Sequence, residues 1–268
     1  MIINSQRTIY GLEYMTSKIT GEAHFTRPNT TLNEKHNIQK GVSAAAGVDL
    51  GIKYLAIGIG GTSPLVGVTE YSYSKHGIAD AALFKQVPFV ARPASNDLTA
   101  TEQARYRLRV SSTIGGVQHY LYYLRVIAPA DMTRDTYLIT PATTGPSTLS
   151  LFSTNTPTYL NPTPRNTGAI AGAGTTYISA MIKLKFVLTP AEMVDIQNSI
   201  DLLYGTTANK VISEIGVCGG ADNPAGDEAL EVQVHYHVGT GVDITMANDP
   251  IVGYSRAIEL GGAEPLYA

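Results

Sequence analysis

The residues best suited to chemistry by type and spacing are His235 and His237, which flank Tyr236 in a stretch that also carries Glu231 and Gln233. Alternation along a strand places both imidazoles on one face with Glu231 and Gln233, a donor set of the kind a divalent metal takes. A metal needs a further ligand from elsewhere, and His24, His36, His76 and His119 show no ligand spacing. The polar face of an exposed or interface strand explains the pair with fewer assumptions. Cys218 is the one cysteine, which rules out an intrachain disulfide or a thiol-rich metal site. At the end of an apolar strand it reads as a small buried thiol with no base beside it. Gly58, Gly60 and Gly61 follow a strand as a phosphate-cradling loop does. However, Ser63 stands where the dinucleotide pattern needs its third glycine, and Pro64 disfavours the helix that should follow. No Gly-x-Ser-x-Gly elbow, P-loop or His-Glu-x-x-His helix occurs. Acidic residues such as Asp80 and Glu102 cannot be brought together by spacing alone, so the sequence gives no reason to expect an enzyme or a bound cofactor.

The elements around these residues read mainly as strands. Ile52–Ile59 is a short apolar run closed by Gly60, Gly61 and Pro64. Tyr106, Leu108 and Val110 alternate with Arg105, Arg107 and Arg109, and Gly115-Gly116 then turns the chain into a second strand over His119–Ile127. That second strand carries Tyr120, Tyr122 and Tyr123, which suit packing across a sheet. Tyr177–Leu188 alternates with Ile178, Ala180, Ile182, Leu184 and Phe186 on one face and Lys183 and Lys185 on the other. Thr189-Pro190-Ala191-Glu192 is a capping box with proline at the first helical position. Met193, Ile196, Ile200 and Leu203 form the buried stripe of that helix, and Gly205 ends it. Val211–Val217, Leu230–Val238, Val242–Met246 and Ile251–Glu259 are further strands. A second helix is predicted over Asn33–Ala46, with Ile38 and Val42 on one face. The pattern is that of a mainly β, α+β fold with one well-defined helix and antiparallel sheets, sandwich-like or barrel-like. Residues 1–48 form a polar N-terminal segment, 49–128 a β-rich part, 129–174 an extended arm or loop insertion, and 175–268 a strand-helix-strand β-rich part able to form one domain with 49–128.

Composition narrows the class of function. Of 268 residues, 15% are charged and 44% hydrophobic, Trp is absent, and Gly, Thr and Tyr are plentiful. A surface with so few charges suits burial against other subunits, since interfaces are poor in Lys and Glu and rich in Tyr. A net charge of −3 argues against general nucleic-acid binding. No stretch reaches the length of a membrane-spanning helix, and the start lacks a signal peptide, so synthesis in a cytoplasm is expected. The Arg105, Arg107 and Arg109 face fits a salt-bridging contact with a subunit or partner better than it fits phosphate. The segment from Pro129 to Gly174 is rich in Thr, Pro, Asn, Ser, Gly and Ala. It reads either as an arm lying on a neighbour, with Tyr159 and Arg165 as contacts, or as a plain surface loop.

Ile212-Ser213-Glu214-Ile215-Gly216-Val217, set between the capped helix and the strand Leu230–Val238, resembles strands of tail, baseplate and neck proteins of tailed bacteriophages. Tyr54-Leu55-Ala56-Ile57-Gly58-Ile59-Gly60-Gly61 looks like the strand-and-glycine openings of some of them. The resemblance covers about a third of the chain in short pieces. It implies a non-enzymatic virion subunit, made in the host cytoplasm, that assembles with copies of itself into a ring or sleeve and docks other virion structural proteins. A carbohydrate-binding or receptor-binding module that uses exposed Tyr, Asn and Asp on a β-scaffold is the main alternative; a hydrolase stands third.

Overall fold

Runs rich in Val, Ile, Tyr and Leu, broken by Gly, Pro and Asn, fold into antiparallel strands, as their patterning requires. A computed structural model describes residues 5–64, 71–73, 75–140, 142, 147–153, 177–208, 210–244 and 254–265. The strands are β1 (Ser5–Arg7), β2 (Ile52–Gly58), β3 (Thr62–Pro64), β4 (Tyr71–Tyr73), β5 (Gln86–Val87), β6 (Val90–Pro93), β7 (Tyr106–Ile114), β8 (Val117–Val126), β9 (Met132–Thr140), β10 (Thr148–Leu151), β11 (Tyr177–Leu188), β12 (Val211–Asp222), β13 (Ala229–Asp243) and β14 (Tyr254–Pro265). The helices are α1 (Ile9–Thr20), α2 (Leu32–His36), α3 (Ala100–Gln103) and α4 (Pro190–Tyr204). The architecture is mainly β with helices added, an α+β fold of antiparallel sheets.

The chain forms two compact units, residues 1–127 with 188–254, and residues 128–187 with 255–268. The first holds an eight-stranded sheet in the order β1-β13-β12-β2-β8-β6, with β5 also on β2 and β7 also on β8. Every residue of β12 from Val211 to Ala221 is buried, so this central strand is covered on both faces and is apolar along most of its length. Tyr54, Ala56, Leu108, Leu121, Leu124, Cys218, Val232 and Val234 share one core cluster with Leu32 of α2. Residues 49–127 and 188–254 therefore form one domain. The N-terminal segment belongs to it as well, because β1 pairs with β13 and α1 packs on the same strand.

The β7–β8 hairpin is where the sequence predicts it. Gly115 and Gly116 take φ of 57° and 80°, the left-handed pair that a two-residue hairpin turn needs. Helix α4 also forms as its capping box implies: Thr189 Oγ1 accepts from the Glu192 N–H, and the Glu192 carboxylate accepts from the Thr189 N–H. Met193, Ile196 and Ile200 are fully or nearly fully buried.

Other expectations are corrected. The helix predicted over Asn33–Ala46 is only the five-residue α2, ending at Asn37 with φ 55°. The cause is Asn33, whose buried side chain donates to the carbonyls of Ile38 and Ala229 and accepts from the Val232 N–H, tying the chain to β13. Helix α1 was not legible, because it buries only Tyr10 and Gly11 while Leu12 and Ile19 stay exposed. On β11, burial is concentrated at Leu184, Phe186 and Leu188, and Ala180 is exposed.

The second unit contains a four-stranded sheet in the order β10-β9-β11-β14. Part of the 129–174 segment is thus regular: β9 pairs with β11 from Met132↔Leu184 to Ile139↔Tyr177, and β10 pairs with β9. Tyr159 and Arg165, and most of the rest of that segment, lie outside the described residues. Among the described residues no helix is long and apolar enough to cross a membrane.

Candidate functional site

Strand β12 is the central strand of the sheet, and its sequence places one carboxylate, Glu214, among apolar neighbours. A buried carboxylate must find compensating donors or become protonated. Glu214 finds four. Its Oε1 accepts from the backbone N–H of Gly60 at 3.1 Å and of Lys85 at 2.9 Å. Its Oε2 accepts from the N–H of Phe84 at 2.9 Å and from His76 Nε2 at 2.8 Å. Burial would raise its pKa, but the His76 bond and the two N–H groups from Lys85 and Phe84 outweigh that and hold it below the ordinary carboxylate range.

The glycines that follow β2 serve this carboxylate. Gly58 lies directly opposite Glu214 in the β2–β12 ladder, and a Cβ on Gly58 would collide with the Glu214 side chain. A Cβ on Gly60 would come within 2.7 Å of the Lys85 nitrogen. The glycine-rich turn gives one backbone N–H, that of Gly60, to an anion, and that anion is the chain's own Glu214, whose other two backbone donors are Phe84 and Lys85.

His76 stacks on His237 with ring centroids 3.7 Å apart and planes 6° apart, and on Phe84 at 4.0 Å. Its Nδ1 lies 3.3 Å from Asp80 Oδ2, without hydrogen-bond geometry. His237 Nε2 donates to the Asp80 carbonyl at 3.0 Å, which leaves the buried Nδ1 of His237 unprotonated and without a partner. Burial pushes the His237 pKa down to about 4, against the bond to Asp80. His235 goes to other partners: it stacks on Tyr14 at 5.0 Å and sits edge-on to His24. Burial first, and then His24, pushes its pKa down to about 3. The two histidines singled out in the sequence therefore engage different groups. In the His76–His237 stack, lone pairs in near-parallel planes do not converge on one ion. Among the described residues no group of three or more His, Cys, Asp or Glu could hold a metal. Cys218 is fully buried, and burial raises its thiol pKa.

The arginine row is also tied down within the chain. Arg107 is only 6% exposed, and its Nε donates to Asp222 at 2.8 Å. Asp222 also accepts from Tyr54 Oη at 2.8 Å and pairs with Lys53 at 2.6 Å. Burial would raise the Asp222 pKa, and the Lys53, Arg107 and Tyr54 bonds together lower it. Arg107 is therefore an internal strut rather than a surface contact. Arg105 lies just before β7 and bonds Glu192 at 2.7 Å, while Arg109 bonds Asp97 at 2.5 Å and lies over the Tyr120 ring at 3.5 Å. The side chains of Arg105 and Arg109 are 55% and 37% exposed, so both still reach the surface. Arg107→Ala is expected to cost about 2–3 kcal/mol, less than a buried pair with no other support, because Lys53 and Tyr54 still compensate Asp222. Urea denaturation measures this, and a loss below roughly 0.5 kcal/mol would contradict the strut role.

Glu228 and Glu231 repeat the pattern set by Glu214. Glu228 accepts from the N–H groups of Leu108, Arg109 and Ala229, and Leu108 holds φ 53°. Glu231 accepts from Thr26 Oγ1 and the Ala44 N–H. The sequence signal for all three was a carboxylate in or beside an apolar strand. Apart from the adjacent Ala229 N–H on Glu228, their partners lie more than a hundred residues away and cannot be read from spacing.

The exposed apolar side chains are unevenly spread. Leu12, Ile19, Phe25, Val42 and Val48 fall in the first fifty residues, with Ile19 84% and Phe25 77% exposed. In the second unit, all of β10 is exposed, including Leu149 and Leu151. A cavity of about 170 Å³ lies near Thr26, Arg27, Asn33, Glu34 and Glu231, smaller than most small-molecule sites.

Residues 2–268 match the model of a family described as a family of unknown function, DUF7208. No curated protein and no solved structure matches the chain.

Proposed function

We propose that this chain, which belongs to the DUF7208 family, is a non-enzymatic structural subunit of a tailed-bacteriophage virion, in the tail, baseplate or neck. In this role it assembles with copies of itself into a ring or sleeve and docks other virion proteins. The observation that carries the reading is the exposed apolar set Leu12, Ile19, Phe25, Val42 and Val48 on a chain whose charged residues are so often spent on internal ties. Large apolar side chains left in solvent on a chain with so few charges suit burial against other subunits. The carboxylates best placed for acid–base work, Glu214, Glu228 and Glu231, already accept hydrogen bonds from the chain itself. The phage assignment comes from the sequence resemblance. Its two segments are neighbours in the sheet, with Glu214↔Gly58 and Ile215↔Ile57 in register, and share the Glu214 carboxylate as a tie.

Light scattering coupled to size exclusion, with electron micrographs of the same sample, tests the reading. A closed assembly of many copies is expected. A monomer at every accessible concentration overturns it, and glycan-array binding by that monomer would establish the receptor-binding alternative instead.

A further inference from the structure

We infer that the outer edge of β10 is a contact between two copies of this chain, in which β10 pairs antiparallel with the β10 of the partner about a two-fold axis. The inference rests on the self-assembly reading above and names one of its surfaces.

An outer strand presents a row of backbone N–H and C=O groups that any other strand can pair with, and proteins usually protect such edges with charge or proline. Of the outer strands of the eight-stranded sheet, β1 carries Arg7, β6 carries Arg92 and Pro93, β7 carries Arg107 and Arg109, and β5, which is Gln-Val, is buried. Strand β10 is Thr-Leu-Ser-Leu, with neither charge nor proline, and is exposed along its whole length. Its inner edge is occupied by β9, in the register Thr148↔Thr140 to Leu151↔Tyr137.

The same lack of charge selects a second copy as the occupant. Bringing β6 or β7 against its own copy would crowd the Arg92–Asp195 or Arg109–Asp97 ion pair against its duplicate, a seam with charges to desolvate. Self-pairing of β10 brings no charges together. With Ser150 opposite Ser150 of the partner subunit, Leu149 of one copy faces the partner's Leu151 on the same side of the new pair. Leu149 and Leu151, 44% and 72% exposed in the single chain, then pack beside each other across the seam and lose part of that exposure. A two-fold contact of this kind is self-complementary.

The test uses the full chain with Ser150→Cys, oxidised by copper phenanthroline and read on a non-reducing gel. Facing residues of antiparallel strands have Cα atoms about 4.5–5.5 Å apart, within reach of a disulfide. Cys218 is the only native cysteine and is fully buried, so background cross-linking is low. A covalent dimer is expected. In parallel, the double variant Leu149→Lys/Leu151→Lys should keep its circular dichroism spectrum and weaken self-association about tenfold or more, through like charges at the seam. If the wild-type chain assembles but Ser150→Cys gives no dimer and the lysine variant assembles normally, the β10 contact is wrong while the self-assembly reading stands. If the wild-type chain is monomeric throughout, both fail.

Discussion

Replacing Glu214 by Ala is expected to lower stability by about 4–5 kcal/mol, the range for removing one partner of a buried charge cluster. Four donors converge on this carboxylate: the N–H groups of Gly60, Phe84 and Lys85, and His76 Nε2. Each loses an acceptor in a site that water reaches poorly, since Glu214 is only 3% exposed, and an unpaired buried donor costs about 1–3 kcal/mol. Glu214→Gln keeps the shape but sets an amide NH₂ against N–H donors, so it should recover less than half of the loss. His76→Gln should be mild at about 1 kcal/mol, because Gln still donates. For a domain of this size each kcal/mol corresponds to roughly 2–4 °C in Tm, so the Ala variant should melt at least about 8 °C lower. Urea unfolding should show a lower midpoint with unchanged slope. A loss under about 1 kcal/mol for Glu214→Ala would mean that these loops are held by something else.

Stability is expected to fall as pH drops from 7 to 5, before ordinary carboxylates titrate. His235 and His237 are nearly fully buried, with folded pKa values pushed down by burial to about 3 and about 4. His36 is also pushed down by burial to about 4, and stacks on Tyr123. An unfolded histidine takes up its proton near pH 6.5. Between that pH and about 4 the unfolded chain therefore binds protons that the folded chain does not, and this stabilises the unfolded state. The histidine contribution is complete above pH 6.5 and is lost as pH falls toward the folded values. For His235 and His237 the loss by pH 5 is about 2 kcal/mol each, and His36, with the same folded value as His237, adds a further loss of the same kind. Glu214, Asp97 and Asp222 have folded pKa values below the ordinary range, against the effect of burial, because of their hydrogen bonds and ion pairs. Their contribution is present above the unfolded carboxylate pKa and disappears at still lower pH. The prediction is checked by comparing urea midpoints at pH 7 and pH 5 for the native chain and for His235→Gln/His237→Gln. The variant should lose much less between the two pH values. An equal loss in both proteins would reject the assignment.

The parts of this fold legible in the sequence were those set by neighbours within a few residues. The Gly115-Gly116 hairpin and the Thr189–Glu192 capping box depend on turn and cap chemistry, and both formed as read. Helix α1 was not legible because Leu12 and Ile19 point outward and break its apolar stripe. The helix predicted after Asn33 stopped short because the Asn33 side chain bonds β13 almost two hundred residues away. The candidate site followed the same division. Alternation correctly made His235 and His237 members of one strand, but each partner is set by tertiary contact, and His76 gave no local signal. The arginines were seen; the Asp222 that takes Arg107 inside could not be.

The first structural unit is closed by segments from opposite ends of its sequence. Strand β1 pairs Ser5–Arg7 with Tyr236–Val238, and the Thr8 hydroxyl donates to the Val234 carbonyl. A chain emerging in order from the ribosome makes β1 and α1 long before the strand that receives them. Over two hundred residues, including the whole β9–β11 region, must follow first. Contacts of such long sequence separation slow folding and leave apolar surface waiting for its cover. Nascent chains that stop before β13 should accordingly be the forms that chaperones hold and proteases remove, and the yield of this protein should depend on how quickly its last third is translated.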